Sequence, residues 1–315
     1  MTDEKKQLQA LAPDEMAGSR VDQVMSKLFA DFSRSRITDW IRRGEATVNG
    51  KSCKPKDKLH GGEELRLNVI IETQTEFQPQ DIPLNIIYDD EHILVINKPA
   101  GLVVHPAAGN HDGTLLNGLL YHFPDLKNLP RAGIVHRLDK DTTGLMVVAK
   151  TEKARVSLVN QLQERLMGRE YQAIVSGTMT GGGRVDEPIG RHPKQRLKMA
   201  VHPMGKEAIT HYRIAQKFTA NTLLNIKLET GRTHQIRVHM AYIHHPLVGD
   251  RTYAGRTRIP GGVSEEIKQV IRDFPRQALH ARKLTLEYPE NDELMSWEVD
   301  LPEDMQELLD ALEKS

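Results

Sequence analysis

The sequence predicts an α+β protein: a large domain on a mostly antiparallel mixed sheet with flanking helices, preceded by a small α+β domain. Three observations predict it. The 315 residues are about twice the ~150 expected of one domain. Strand-like segments arrive in runs with helical segments between only some of them, so the regular βαβ alternation of a parallel sheet is missing. A polar, aperiodic stretch over 72–83, with Gln74, Gln78, Gln80, Pro79 and Pro83, reads as a linker between two patterned regions.

The elements follow in order. Residues 1–17 are polar and unpatterned, Pro13 argues against one long helix, and a flexible tail is expected. The small domain is assigned to 18–71. Apolar side chains at Val21, Val24, Met25 and Leu28 have helical spacing. A second helix turns Ile37, Trp40 and Ile41 inward and leaves Arg34, Arg36, Arg42 and Arg43 outward, with Gly44 placed to end it. A strand then runs into Asn49-Gly50, a strong hairpin signal, and 64–70 alternates as a returning strand. The large domain is assigned to 84–315. Its expected strands lie at 86–88, 93–97, 145–149, 171–176, 209–216, 223–229, 279–287 and 297–299. Its expected helices lie at 114–121, 151–166, 233–243, 264–273 and 303–313. Glycine-rich stretches at 181–183 and 255–262 read as loops.

With 38% hydrophobic and 27% charged residues the chain has the composition of a globular protein, which excludes disordered and fibrous classes. No apolar run approaches the ~20 residues that cross a bilayer. The start Met1-Thr2-Asp3-Glu4-Lys5-Lys6 has charges of both signs and no apolar stretch behind it, so a cytoplasmic location is expected. The single cysteine, Cys53, makes an internal disulfide impossible and fits a reducing compartment.

Forty-three basic and 43 acidic residues cancel, but they are segregated. Over 33–58 eight bases stand against three acids, and over 184–217 the ratio is the same, whereas 287–315 holds eleven carboxylates and only Lys314. Two basic patches on a neutral chain point to a polyanion, because phosphate neutralisation is local. Solvated faces are the alternative.

Phosphate-loop, dinucleotide, zinc-protease and nucleophile-elbow signatures are all missing. His234 and His239 stand five apart, off a common helical face, with no carboxylate between them to complete a metal site. Asp139 to Gly144 imitates a calcium loop, with acids at positions 1 and 3 and glycine at 6, but position 5 is Thr143 and position 12 is Lys150 in place of the required glutamate.

Three segments survive. The first, His136-Arg137-Leu138-Asp139-Lys140-Asp141-Thr142-Thr143-Gly144-Leu145, is dense in polar groups at the mouth of a buried strand. A carboxylate at Asp139, flanked by Arg137 and Lys140, is expected to be held ionised and able to act as nucleophile or base. A turn cap is the alternative. The second, Thr230-Gly231-Arg232-Thr233-His234-Gln235-Ile236-Arg237-Val238-His239, reads as a turn into a helix capped by Thr233, whose guanidinium groups could pair with a distant carboxylate. The third, Arg169-Glu170-Tyr171-Gln172-Ala173, puts a tyrosine into an alternating strand, where the residue type is ordinarily core.

These three segments resemble the active-site motifs of the RluA-type pseudouridine synthases, and 18–69 resembles the S4 RNA-binding domain often joined to them. The resemblance implies the pseudouridine synthase fold and the isomerisation of uridine to pseudouridine in RNA without metal or other cofactor. It implies that Asp139 is the essential aspartate, that Tyr171 stacks on the target base and is a candidate for handling its C5 proton, and that Arg237 pairs with Asp139. Arg137 and Arg232 are implied RNA contacts, beside Arg34, Arg36, Arg42 and Arg43 of the S4-like helices. The implied partner is 23S ribosomal RNA or a precursor of the large subunit, with the helix 69 stem-loop as the implied target. A monomer is expected, with no membrane and no nucleotide partner. The alternative is a non-catalytic S4-type RNA-binding assembly factor.

Overall fold

The structure is a computed structural model described over residues 4–29, 32, 34–71, 77–107, 109–195, 198–255 and 262–314. The chain divides into two compact units, 1–76 and 77–315.

In the first unit, α1 (Val21–Leu28) and α2 (Arg34–Arg42) pack on a four-stranded antiparallel sheet of order β1-β4-β2-β3. The strands are β1 (Glu4–Leu11), β2 (Ala46–Val48), β3 (Lys51–Ser52) and β4 (Glu64–Ile71). Val21, Val24 and Met25 of α1 and Ile37, Trp40 and Ile41 of α2 are buried against Leu65 and Leu67 of β4, as the helical spacing requires. Asn49 (φ 49°) and Gly50 (φ 75°) make the tight turn between β2 and β3, with positive φ at both central positions.

The expected flexible tail is corrected here. Residues 4–11 form an edge strand paired with β4 from Glu4↔Ile71 to Leu11↔Glu64. The unsatisfied edge of β4 supplies the partner, some sixty residues away in sequence, and local periodicity carries no signal of so distant a pairing.

The second unit is built on a nine-stranded sheet. Its strands are β5 (Ile86–Asp89), β6 (Ile93–Lys98), β7 (Thr143–Ala149), β8 (Gly168–Ser176), β9 (Gly183–Asp186), β12 (Ile209–Lys217), β13 (Asn221–Leu228), β14 (Leu279–Glu287) and β15 (Leu294–Glu298); a separate short hairpin joins β10 (Ile189–Arg191) to β11 (Met199–Val201). The order is β5-β6-β7-β14-β8-β13-β12-β9, with β15 beside β14, and of these pairings only β7 with β14 is parallel. β9 to β11 were not expected. Strands of three or four residues are too short to show alternation.

Both faces of the central strands are covered, which is why β7 reads as a continuous apolar run. On one face Leu94, Ile96, Met146 and Val148 pack with α3 (Leu115–His122) and with Ile236 and Met240 of α5 (Gln235–Tyr242). On the other, Ile93, Val95, Leu145 and Val147 meet Ala154 and Leu158 of α4 (Glu152–Gln163). Further along that sheet, Ile174 and Leu223 pack with α6 (Glu265–Asp273) and α7 (Glu303–Glu313).

Register brings the three singled-out segments together. Thr143 at the start of β7 and Gln172 of β8 both pair with His280 of β14, one from each side, while Tyr171 pairs with Ile226 of β13, the strand that leads into α5. Gly144 permits this arrangement. It has φ 112°, and a Cβ there would lie 2.2 Å from the Ala281 carbonyl oxygen.

Candidate active site

The segment carrying Asp139 is fixed from below by backbone-directed bonds. Lys98, 1% exposed at the end of β6, donates to the carbonyls of Pro99, Leu102 and Lys140 at 2.8, 2.9 and 2.8 Å. Burial lowers its pKa to about 8, against the opposing charges of Asp141 and Asp139. Arg276 grips Asp304 with two bonds of 2.6 and 2.8 Å and donates its remaining Nη1 to the Asp141 carbonyl at 3.1 Å. Gln277 donates to the Thr142 hydroxyl, and the Thr143 hydroxyl lies 2.8 Å from His280 Nδ1. On the approach to the loop, His136 Nε2 accepts the Val147 N–H at 3.0 Å and must therefore be unprotonated there. Burial first, and then the charge of Arg169, push its pKa down to about 3.

So held, Asp139 spends its backbone carbonyl on the turn, accepting the Thr142 N–H at 3.1 Å, and keeps its carboxylate for Arg237. Arg237 Nη1 donates to Oδ2 at 3.0 Å from α5, 98 residues further along the chain. The cation beside Asp139 is thus not Arg137 or Lys140, as sequence proximity suggests: neither forms an ion pair with it among the described residues. Arg137 lines the same hollows as Asp139 without pairing with it, whereas α5 brings Arg237 Nη1 to 3.0 Å. The turn-cap alternative fails for the same reason, since the side chain faces Arg237.

Arg237 is itself gripped. Its Nε and Nη2 donate to the two oxygens of Asp250 at 2.7 and 3.0 Å, and its guanidinium carbon lies 5.0 Å from the centre of the Tyr253 ring. Asp250 also accepts the N–H groups of Thr252 and Tyr253. Burial opposes the guanidinium charge, yet the bonds to Asp250 and the charges of Asp250 and Asp139 outweigh it, and the Arg237 pKa is raised. One guanidinium therefore serves two carboxylates, two-handed toward Asp250 and one-handed toward Asp139. Oδ1 of Asp139 is left with His234 Nε2 at 3.8 Å.

A cleft of about 900 Å³ opens beside this group, lined by Asp139, Tyr171, Arg237, Arg137, Arg169 and Arg232 among others. A second hollow of about 370 Å³ shares Arg137, Asp139, His234 and Arg237 with it. The Asp139 side chain is 16% exposed, so it is turned to the cleft and not sealed in a wall. Tyr171 is 7% exposed, and burial raises its pKa, as does the Asp139 charge, while Arg169 works the other way. The phenol is therefore neutral near pH 7. The cleft is cationic and of nucleotide size, with an aromatic ring and a carboxylate on its walls.

The remaining basic residues are distributed as follows. Arg232 donates from Nε to the Glu207 carbonyl at 2.8 Å. The helix start differs from expectation: Thr233 does not cap α5, whose N-cap is His234 in the left-handed conformation (φ 56°, ψ 23°). In the first unit Arg34 is partly spent on Asp22, a buried carboxylate that Arg20 also grips, each at 2.9 Å. Arg42 is exposed and 3.6 Å from Asp39, Arg43 is exposed, and the Arg36 side chain lies outside the described residues. Among the described residues no three His, Cys, Asp or Glu side chains gather as a metal site requires.

The model of the RNA pseudouridylate synthase family matches residues 92–242 and that of the S4 domain residues 19–65. The chain belongs to the RNA pseudouridylate synthase family: it is an RNA pseudouridine synthase, an isomerase, with an N-terminal S4 domain. Among its relatives is the ribosomal large subunit pseudouridine synthase D of Escherichia coli strain K12, 56% identical over 310 residues that cover 98% of this chain and 95% of that one. The protein of the same name from Pseudomonas aeruginosa is 58% identical over 303 residues, covering 96% and 95%. Human RNA pseudouridylate synthase domain containing 4 shares the fold, with a TM-score of 0.57, 26% identity and coverage of 73% of this chain and 93% of that one.

Sequence reasoning missed Lys98, Asp250, Tyr253 and Arg276, and considered His234 only as a metal ligand. A faint signal existed for two of them. Lys98 ends the apolar run of β6 and Asp250 follows Leu247-Val248-Gly249, and a charge at the edge of an apolar stretch demands a partner. Nothing local names that partner.

Proposed function

We propose that the chain converts uridine to pseudouridine in 23S ribosomal RNA of the large subunit, in the helix 69 stem-loop, with Asp139 as the essential carboxylate. The observation that carries this reading is the convergence of Asp139, Arg237 and Tyr171 on one cationic cleft. The substrate assignment rests on the relatives, whose name is that of a ribosomal large subunit enzyme.

The chemistry breaks the N1–C1′ bond, joins C1′ to C5, removes the C5 proton and returns a proton to N1, so mass is conserved. A uridine in a stem-loop hides these atoms, and extruding it costs roughly a few kcal/mol of stacking. The Tyr171 face recovers part of that cost by stacking on the base. Asp139 then attacks the ribose or the base, or removes a ribose proton; each route needs an oriented carboxylate free of water's competition. Arg237 supplies the orientation. Its single bond leaves the other Asp139 oxygen open toward the substrate. Tyr171 is also placed to handle the C5 proton. Arg137 and Arg232 contact the strand at the cleft, while Arg34, Arg36, Arg42 and Arg43 contact a second RNA segment through phosphate and hydroxyl groups. The enzyme acts in the cytoplasm as a monomer.

The test is Asp139→Asn, which preserves size and nearly all charge. Pseudouridine in helix 69, mapped by primer extension after carbodiimide treatment, must vanish while RNA binding stays within about twofold. Retained pseudouridine would defeat the role of Asp139, and a modified site outside helix 69 would defeat the substrate.

A further inference from the structure

His234 has no part in the reading above, yet it occupies a position that the chain does not adopt easily. Its backbone is left-handed at φ 56°, a conformation that a β-carbon disfavours and that clusters at functional sites. The side chain lines both hollows that meet at Asp139. It makes no capping bond to α5, so the helix gives no account of it.

The hydrogen-bond chain around the ring points to one tautomer. The Met199 N–H donates to the Tyr253 hydroxyl oxygen at 3.0 Å. The Tyr253 oxygen lies 2.7 Å from His234 Nδ1, and the two rings are T-shaped with centroids 5.6 Å apart. Burial, with Arg237 and Arg137 adding to it against Asp139 and Asp250, lowers the imidazole pKa, so the ring is neutral near pH 7. With its oxygen accepting from Met199, the phenol satisfies its own proton by donating it to Nδ1. The imidazole proton is then on Nε2, the nitrogen that faces Asp139 Oδ1 at 3.8 Å.

We infer that His234 is a further catalytic residue: a neutral imidazole whose Nε2–H closes onto Oδ1 of Asp139 during the reaction, opposite the bond from Arg237 to Oδ2. No proton is transferred to or from the ring in this role. Asp139 leaves and regains its negative charge during isomerisation, and a prealigned N–H donor stabilises that charge as it returns. Tyr253 acts through His234 and is a positioning residue. The inference rests on Asp139 being the reacting carboxylate.

The experiment uses the full chain with a large-subunit ribosomal RNA transcript tritiated at uridine C5, following tritium release in single turnover. His234→Gly suits the left-handed backbone, so the fold is retained and the melting temperature does not fall. The rate is expected to drop at least tenfold, toward the ~100-fold measured when one donor is removed from other charge-stabilising sites, with RNA affinity within about twofold. Added imidazole should restore part of the lost rate to His234→Gly and none to Tyr253→Phe, which should be slowed about three- to tenfold through the freed tautomer. A rate within twofold of wild type overturns the inference. So does a loss that imidazole leaves untouched, or one carried by weaker RNA binding. Asp139→Asn is run beside it: release of tritium by that variant removes the underlying reading, whereas a silent Asp139→Asn with a fully active His234→Gly removes the inference alone.

Discussion

Asp250→Asn is the substitution that most directly tests how the site is held together. Asp250 is 1% exposed and takes both Nε and Nη2 of Arg237, itself 7% exposed. Breaking a buried ion pair by removing one charge costs about 3–5 kcal/mol. Two features of this site reduce that. Arg237 keeps its bond to Asp139, and an asparagine Oδ1 can still accept the Thr252 and Tyr253 N–H groups. What is lost is the second oxygen, replaced by an amide N–H₂ that points donor to donor at Arg237 Nε. An unsatisfied buried donor at a charged group costs about 2–3 kcal/mol, and that is the expected loss of stability in urea unfolding at unchanged slope. The guanidinium, released from its two-handed grip on Asp250, is no longer held where its Nη1 orients the Asp139 carboxylate. Turnover should therefore fall at least tenfold, a barrier increase of about 1.4 kcal/mol, while the RNA dissociation constant moves less than about threefold. Unchanged stability, or a loss confined to RNA binding with normal turnover on bound RNA, would refute the reasoning.

Other outcomes follow from the same structure. Because the His136 pKa is pushed down to about 3 in the fold against about 6.5 in the unfolded chain, its contribution is complete above pH 6.5 and declines as pH falls toward 3. Urea midpoints should accordingly drop between pH 7 and pH 4, by less in His136→Gln, which has no proton to gain; equal slopes in the two proteins would discount the histidine. Gly144→Ala should cost at least about 3 kcal/mol or prevent folding, since its Cβ would strike the Ala281 carbonyl at 2.2 Å from a backbone at φ 112°. A melting temperature within a degree or two of wild type would contradict that packing. Arg232→Ala should weaken RNA binding and lower the slope of log K against log salt by about one, with turnover on bound RNA retained. Arg237→Ala should do the reverse, abolishing turnover with little change in salt slope.

Much of the fold is legible from local pattern. The spacing at Val21, Val24 and Met25 marks α1, the continuous apolar run marks β7, Asn49-Gly50 marks the β2–β3 turn, and Ser264 caps α6 as polar N-caps do. These features depend on residues a few positions apart, and the period of a helix or strand writes them directly into the chain. Asp139, Tyr171 and Arg237 could likewise be singled out, through motifs resembling those of a known family. Pairings across long separations left no trace in local pattern, and that of Arg237 with Asp139 was reached only through the family resemblance. The edge strand β1 exists because β4 has an unfilled edge sixty residues away, and Asp139 has Arg237 for a partner because α5 follows β13, two strands from β14 in the sheet. The buried charges make the same point: Lys98, Arg276 and Asp250 are determined by which carbonyls and carboxylates lie within about 3 Å of them, a distance set only when the sheet closes. Sequence by itself fixed the chemical groups available and the local elements that carry them. Tertiary structure decided which charge faces which, because electrostatic and hydrogen-bond partners are chosen by distance in space, and chain order is blind to it.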